Sequence, residues 1–548
     1  MNKCYIGLIL ASGLCSSQLF AIDAGSIQRD IEKNLEKPQS YQEQKKQKVL
    51  VEDTDTKILV NKFIFSGNTI IPTQELENIV NPYVGKELSF KQLQTIVAQI
   101  SDYYASVGGL AKIYLPKQDI SDGTVKIDIL EGKLNKVLIE NTQAIMQQEQ
   151  AENFIYEYNH KGAPIQNKDL SKALINLNNI GGLTAKSSIA PGEVTGSSDL
   201  VIKLKDTARY QSDVGIDNYG SRLTGKEEFT AGMIINNLSE SNLYDNLNLR
   251  AMLTEGVKYA RVQYMVPMGY NGDKLGASFS DMSYKLLSRY NDFPGDGDAY
   301  TAALHYTHPF IRTQEQNLNF STELAHKYSN NNGTSDNTKK NNVANFIFAY
   351  DKADTFMGGG SSNISFGLTM GHIAIDQDSE DIAKINGDYV KYKLNIMRIQ
   401  TISETLSLQA SYQYQNANKN LDSGEELSLG GVYGVRAYPT SEASGDKGWL
   451  GNIELKWAAT PELTPSIFYD IGEVITNIDQ WAGAANNTYS LGGYGAGLAW
   501  ASSNNLNVKA QIAHRTTKSY IANATTGKNS DGTDPSEMRY WLSASWFF

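Results

Sequence analysis

The sequence predicts a transmembrane β-barrel of sixteen antiparallel strands, preceded by an N-terminal helix and two α+β units. Three observations predict this class. From residue 207 to 548 the chain alternates apolar and polar residues in segments of about 9–13 residues, a length suited to tilted membrane strands. The connections between these segments alternate between short and long. Residues 57–206 instead mix helical and strand periodicities, and the same order of elements occurs twice.

The N-terminus is predicted to be a secretory signal peptide, residues 1–21. Lys3 supplies the positive start, and an apolar run at 5–14 follows that is too short to span a bilayer as a helix. Both cysteines of the chain, Cys4 and Cys15, lie in this segment, so the mature chain is expected to have no disulfide. A lipoprotein anchor at Cys15 is the competing interpretation, although the preceding residue is leucine where that signal needs a small one.

Residues 22–35 are predicted to form a short amphipathic helix. Ile27, Ile31 and Leu35 are spaced four residues apart and share one face, whereas most of the remaining girth is polar. Residues 36–56 are rich in Gln, Lys, Glu and Asp and show no apolar period. This composition predicts a flexible linker between the helix and the units that follow.

The overall composition restricts the class of partner. The 548-residue chain has a formal net charge of −11, which argues against nucleic acid as a partner. No stretch after the signal offers 18 consecutive apolar residues. The chain contains 31 tyrosines and 46 glycines, as expected of a barrel with a polar lumen and aromatic rims.

The two α+β units are placed at 57–133 and 134–206. Each is predicted to run strand, helix, helix, strand, strand. The first unit is assigned the elements Ile58–Phe65, Thr73–Val80, Ser89–Ser106, Ala111–Pro116 and Thr124–Glu131. The second is assigned Lys136–Glu140, Gln147–Glu157, Asn167–Asn179, Thr184–Ala190 and Ser198–Lys205.

The predicted barrel, residues 207–548, contains sixteen strand segments. They lie near 209–219, 226–237, 244–255, 258–270, 273–285, 299–311, 315–329, 340–352, 360–374, 388–401, 404–416, 449–459, 463–473, 488–501, 504–517 and 537–548. Short turns such as 271–272 and 460–462 alternate with long connections such as Asn330–Lys339 and Ala417–Gly448. Short periplasmic turns and long outer loops are typical of outer-membrane barrels. An even strand number therefore puts the N-terminal units and Phe548 on the periplasmic side.

The last segment has an apolar face at period two. Tyr540, Leu542, Ala544, Trp546 and Phe548 share this face. We expect it to meet lipid, and the terminal aromatics Trp546 and Phe548 to serve as the signal read by the barrel-insertion machinery.

Two motifs carry the mechanistic hypothesis. The longest connection, about 417–448, contains the tetrapeptide Val435-Arg436-Ala437-Tyr438, and a later strand contains Phe468-Tyr469-Asp470-Ile471-Gly472. Alternation places Phe468, Asp470 and Gly472 on the lumenal face. If the long loop folds inward, Arg436 and Asp470 can form a charge-assisted pair. The competing interpretation is a solvated loop arginine and an ordinary polar wall residue.

These motifs and the order of domains resemble the outer-membrane transporters of two-partner secretion. This is the TpsB family of haemolysin activation and secretion, ShlB/FhaC/HecB-like, in the superfamily that includes the barrel-assembly insertase. The resemblance covers nearly the whole mature chain. It implies two POTRA domains at 57–206 and a loop tip whose Arg436 locks to Asp470 inside the pore. The departure is Ala437, where the family usually has glycine.

The resemblance also implies a function. The POTRA domains would bind a large unfolded partner protein, an adhesin, haemolysin or contact-dependent toxin, and the pore would pass it to the cell surface. The helix at 22–35 would plug the resting pore; a free recognition tail is the alternative. Lipid, periplasmic chaperones and the barrel-assembly machinery are further expected partners. An insertase of outer-membrane proteins and, less favoured, a passive porin are the alternative functions.

Enzymatic function is not expected. The six histidines show no metal-ligand spacing, and no nucleophile-elbow pattern is present. No Gly-rich phosphate-binding loop precedes a helix, so export without nucleotide hydrolysis is predicted. No cofactor is expected.

Overall fold

A computed structural model describes residues 23–35, 57–109, 111–118, 120, 122–141, 146–194, 196–239, 244–288, 295–333, 337–376, 381–480, 487–516, 527–533, 535 and 538–548. The predicted signal peptide at 1–21 and linker at 36–56 lie outside these residues. The described chain begins with helix α1 (Ala24–Leu35). No helix in the ranges above is long and apolar enough to cross a membrane.

The first α+β unit packs two helices on small sheets. Its elements are β1 (Lys57–Val60), β2 (Lys62–Ser66), α2 (Thr73–Val80), β3 (Lys86–Ser89), α3 (Phe90–Ser106), β4 (Ala111–Tyr114) and β5 (Thr124–Glu131). Helix α3 begins in a capping box: the Ser89 hydroxyl accepts from the Gln92 amide, and the Gln92 side chain accepts from the Ser89 amide. Its buried face, including Leu93, Ile96 and Ile100, covers the sheet in the order β2–β5–β4.

The single strand predicted at Ile58–Phe65 is wrong. The chain breaks at Asn61, so that β1 pairs with β3 while β2 pairs in parallel with β5. The amides of Asn61 and Lys62 both donate to the carbonyl oxygen of Gly123, at 2.7 and 3.2 Å. This turn redirects the backbone at Asn61. The apolar run in the sequence does not reveal the turn, because β1 and β2 on either side of it are both partly buried.

The second unit repeats the order of the first. It contains β6 (Lys133–Asn141), α4 (Gln148–Tyr156), α5 (Asn167–Asn178), β7 (Leu183–Pro191) and β8 (Ser197–Asp206). Its sheet order is β6–β8–β7, with β6 and β8 parallel, and its core lies between this sheet and the two helices. The described strands and helices therefore confirm the predicted internal repeat.

Sixteen antiparallel strands close into a barrel, as predicted. They are β9 (Tyr210–Asp217), β10 (Glu228–Asn236), β11 (Asn246–Leu253), β12 (Val257–Met268), β13 (Asp273–Lys285), β14 (Asp296–Arg312), β15 (Gln316–Asn332), β16 (Asn337–Asp354), β17 (Gly360–Ile375), β18 (Gly387–Thr401), β19 (Leu406–Ala417), and, after the short β20 (Leu427–Ser428) and β21 (Ser444–Gly445), β22 (Lys447–Trp457), β23 (Leu463–Ile475), β24 (Thr488–Ala501), β25 (Leu506–Arg515) and β26 (Met538–Phe547). Pairing of β26 with β9 completes the closure.

The long outer connection predicted at Asn330–Lys339 is also wrong. Strand β15 continues to Asn332 and β16 begins at Asn337, and the ladder between them extends to the pair Asn331 and Asn337. Asn, Lys and Thr predict a loop by composition. In the structure β15 and β16 extend outward beyond their apolar, lipid-facing part, so these polar side chains lie within paired strands.

Side chains along the barrel strands alternate between the outer surface and the lumen, as predicted. On β23, Ile467, Tyr469 and Ile471 are exposed on the outer surface, whereas Phe468 and Asp470 are buried toward the lumen. On β26 the side chains of Tyr540, Leu542 and Trp546, with Phe548 just beyond, are likewise exposed outward. The amide and carbonyl of Phe548 pair with those of Ser212 at 2.9 Å, so the chain terminus lies in the closing seam.

The second α+β unit docks on the periplasmic turns of the barrel. The Tyr270 ring meets the Phe154 ring edge-on at 5.1 Å between centroids, and the Tyr270 hydroxyl accepts from Asn153 Nδ2 at 3.2 Å. The Tyr244 hydroxyl donates to Gln150 Oε1 at 3.1 Å, and its ring joins the core of the unit. These contacts position the unit at the periplasmic mouth.

Candidate functional site inside the barrel

The connection between β19 and β22 folds into the lumen. It contains a short 3₁₀ turn, Ser423–Glu425, and a two-strand ladder of β20 and β21. Its apolar side chains form one cluster with inward-facing wall residues: Leu427, Leu429, Val435, Ala437, Tyr438, Ala443, Leu450, Phe468, Val474, Tyr489, Leu491 and Ala513. Removing these groups from water holds the loop against β22–β25.

Arg436 lies at the inner tip of this loop and contacts Asp470 on β23. Arg436 Nε donates to Asp470 Oδ2 at 2.9 Å, Nη2 donates to Oδ1 at 2.8 Å, and the Arg436 backbone amide donates to Oδ2 at 3.1 Å. Arg436 is 5 % exposed and Asp470 is 0 % exposed. Such a two-pronged, buried, charge-assisted contact fixes both distance and orientation.

Three further groups surround Arg436; the sequence reasoning named Phe468 but missed Glu454 and Trp541. Glu454 on β22 accepts from Arg436 Nη1 at 2.8 Å, the Phe468 ring lies 3.3 Å under the guanidinium, and Trp541 Nε1 donates to the Arg436 carbonyl at 2.7 Å. Burial alone would lower the pKa of Arg436, but Asp470 and Glu454 raise it above its ordinary value. The guanidinium therefore stays charged, with each polar face occupied.

Ala437, the departure from the family pattern, fits without backbone strain. Ala437 is not among the residues with positive φ. Its methyl group instead points at Gly493 on β24, where an added Cβ would lie 2.6 Å from Ala437 Cβ. Because Gly493 has no side chain, the wall leaves room for the Ala437 methyl group, which a glycine in the loop would not need.

This contact yields a prediction. Gly493→Ala should displace the loop tip and lower secretion several-fold, since overpacking of this kind costs about 1–3 kcal/mol. Adding Ala437→Gly should restore part of the loss, although the His514 carbonyl remains 3.0 Å from the new methyl group. Secretion titre and the unfolding temperature of the barrel on gels measure both. If Ala437→Gly failed to restore any secretion to the Gly493→Ala variant, that result would contradict this fit.

Helix α1 lies inside the lumen between the wall and the loop. Ala24, Ile27 and Ile31 are buried against inward residues of β11–β14, with Leu35 partly buried beside them. The wall members of this cluster are Met252, Val257, Tyr259, Met282, Tyr284 and Ala299. The apolar face predicted from the sequence is therefore the face that the barrel wall covers.

The polar face of α1 binds wall and loop together. Lys339 Nζ on β16 donates to Asp23 at 2.9 Å and to Asp422 of the loop at 2.6 Å. Ser423 Oγ donates to Asp23 Oδ1 at 2.5 Å, and Arg29 Nη1 donates to the Ser423 carbonyl at 2.6 Å. Burial would raise the pKa of Asp23, but Lys339 and Ser423 lower it to about 2, so the carboxylate stays ionised.

Glu425 gives the loop a second anchor. Its carboxylate accepts from Lys327 Nζ on β15 at 2.7 Å and from Lys391 Nζ on β18. Burial of the carboxyl would raise the pKa of Glu425, but the two lysines lower it well below its usual range. The loop is therefore held at two separate parts of the wall, at Asp470 on β23 and at these lysines on β15 and β18.

The family assignment follows from comparison with known proteins. Residues 196–500 match the family described as haemolysin secretion/activation protein ShlB/FhaC/HecB, more than half of the chain. The chain belongs to this ShlB/FhaC/HecB family. Residues 58–132 match the ShlB-type POTRA domain. The resemblance seen in the sequence is thus confirmed: this ShlB/FhaC/HecB transporter is an outer-membrane protein that moves a partner protein across the membrane.

Individual relatives agree over most of the chain. The heme/hemopexin transporter protein HuxB of Haemophilus influenzae (strain 86-028NP) is 25 % identical over 540 residues, covering 93 % of both chains. The outer membrane transporter CdiB of Dickeya dadantii (strain 3937) is 21 % identical, covering 72 % of this chain and 71 % of its own. The solved CdiB structure from Escherichia coli has the same fold, with a TM-score of 0.70 at 18 % identity and 98 % coverage of both chains.

The structure brings together nearly all of the predicted site residues. Ile27, Ile31 and Leu35 face the wall, Val435 and Tyr438 join the loop cluster, and Gly472 lies on the lumenal face beside it. Trp546 and Phe548 lie on the outer surface, apart from the lumen. Among the described residues, no group of three or more His, Cys, Asp or Glu side chains could hold a metal ion.

Proposed function

We propose that this transporter exports one large, unfolded partner protein through the barrel lumen, with α1 as a removable closure and residues 57–206 as the periplasmic receptor. The observation that carries the proposal is the position of α1. Its apolar face covers the wall while Asp23 and Arg29 hold the loop. A helix that contacts both can close the pore at rest, and its departure frees wall and loop at the same time.

The orientation of α1 supports removal toward the periplasm. The Ala24 amide donates to Asn331 near the outer end of β15 at 3.1 Å, so the helix N-terminus lies toward the cell exterior. The chain then runs through the predicted linker at 36–56 to β1 on the periplasmic side. A pull on this linker would draw the helix out along its own axis.

Deletion of the helix tests the closure. Removing residues 23–35 should raise single-channel conductance in planar bilayers several-fold, because the helix lies inside the lumen between the wall and the inward loop. A matched control replaces the three apolar contacts Ala24, Ile27 and Ile31 with serine, which should give intermittent opening. An unchanged conductance trace after deletion would reject the closure.

The receptor role rests on free sheet edges. In the described part of each unit the central strand, β5 or β8, is paired on both sides, whereas β4 and β7 are paired on one side only. An extended partner can add to such an edge through backbone hydrogen bonds, which read little sequence. This mode suits an unfolded partner and needs no nucleotide.

Outer-membrane lipid, periplasmic chaperones and the barrel-assembly machinery complete the proposed partners. The outward aromatics on β26 suit the lipid boundary. Because the Phe548 backbone is paired with Ser212 in the closed barrel, its recognition would precede closure.

A further inference from the structure

A cationic surface lies beside α1 on one half of the lumen wall. The helix, the loop and the wall enclose a cavity of about 610 Å³. Its wall side carries five cationic side chains against one carboxylate, Glu323. We call the five the lysine strip; it consists of Arg261, Lys327, Lys339, Lys391 and Lys393.

The strip is a product of strand alternation. Lys391 and Lys393 are two residues apart on β18, hence on one face. Lys327 and Lys339 lie diagonally on neighbouring strands, because Lys339 is opposite Ser329 in the β15–β16 ladder. The whole strip lies on β12–β18, whereas the apolar loop cluster covers β22–β25. The strip therefore lies outside the part of the wall that the apolar loop cluster covers, in a chain whose formal net charge is −11.

Carboxylates of the helix and the loop occupy this strip at rest. Lys339 is shared by Asp23 and Asp422, and Lys327 and Lys391 share Glu425. Lys393 has no hydrogen-bond or ion-pair partner among the described residues, although it lines the same cavity. When α1 leaves, Asp23 leaves with it. Of its two carboxylate partners, Lys339 then keeps Asp422 alone, and Lys393 faces the opened lumen.

We propose that the lysine strip is a transient binding surface for acidic, extended segments of the transported polypeptide. In the resting pore, Asp23, Asp422 and Glu425 occupy the lysines to which the carboxylates of that polypeptide would bind. This inference rests on the proposed export through the lumen. Attraction between a carboxylate and an ammonium group is stronger in a confined lumen than in bulk water. Several weak contacts in a row let a chain enter and still move on.

The test uses the protein lacking residues 23–35 in planar bilayers. In a KCl gradient the open channel should prefer chloride, and polyglutamate added from the periplasmic side should block it while polylysine should not. Lys393→Gln should shorten the polyglutamate block roughly threefold and Lys393→Glu about tenfold. The matched control is Lys340→Gln, on the outer surface of β16, which should change neither readout. Heat-dependent gel mobility verifies folding of each variant.

The outcomes separate the two proposals. A channel that opens on deletion yet prefers potassium, or is blocked by polylysine, overturns the lysine strip and leaves export intact. An equal effect of Lys340→Gln and Lys393→Gln also overturns it. A conductance that does not rise on deletion overturns the closure by α1. Chloride preference that depends on Lys393 in the full-length channel would still support the strip in that case.

Discussion

Removal of residues 57–206 should abolish export of the partner protein while the barrel still inserts into the outer membrane. The barrel ladder from β9 to β26 closes without any strand from this region. The region supplies the two sheets with free edges, and its Asn153 and Gln150 contact Tyr270 and Tyr244 of the barrel turns. Export and insertion can be measured separately, by the partner in the medium and by heat-dependent gel mobility of the barrel.

A less drastic variant distinguishes binding from support. Tyr270→Ala keeps both units but removes the ring contact with Phe154 and the bond from Asn153. It should lower export only partly, whereas the deletion should reduce it to background. Continued export by the protein without 57–206 would contradict the receptor role.

Arg436→Glu should reduce export at least tenfold. The substitution places a second carboxylate beside Asp470 and Glu454 in a buried site, and breaking such a pair typically costs about 3–5 kcal/mol. That cost is large enough to release the loop tip from the wall. Arg436→Lys should be intermediate, since an ammonium group cannot make the two-pronged contact.

Lys419→Glu is the matched control for this reversal. Lys419 lies in the same loop but near its outer start, where it is half-buried and donates to the Asn386 carbonyl at 2.6 Å. Cysteines placed at the loop tip and in β23 would report loop release by loss of cross-linking. Equal export defects for Arg436→Glu and Lys419→Glu would remove any special status of the buried pair.

Strand alternation made much of the fold and half of the site predictable. It located the strands of the barrel, because each one separates a lipid face from a polar face over many residues. It placed Asp470 in the lumen, and family resemblance supplied Arg436 as its partner. It failed at Asn61 and at 330–339, where a turn and a tall polar ladder leave the local pattern unchanged.

The remaining contacts of the site depend on tertiary placement. Lys339 was predicted to lie in a loop, and its partners Asp23 and Asp422 are distant in sequence. The same holds for Glu425 and Lys327. Glu454 could have been predicted from the sequence, since it lies opposite Phe468 in the β22–β23 ladder and therefore on the same lumenal face. Periodicity gives the face of a residue, not the partner that folds onto it.

Passage of the partner through the lumen can be tested by cross-linking a stalled export intermediate. The partner is fused to a stably folded domain that arrests it in the pore, and a photoreactive residue replaces Lys393. A covalent adduct between the transporter and the partner is expected from position 393. The same residue in place of Lys340, on the outer surface, should give none. No adduct at 393, or equal adducts at both positions, would contradict export through this pore.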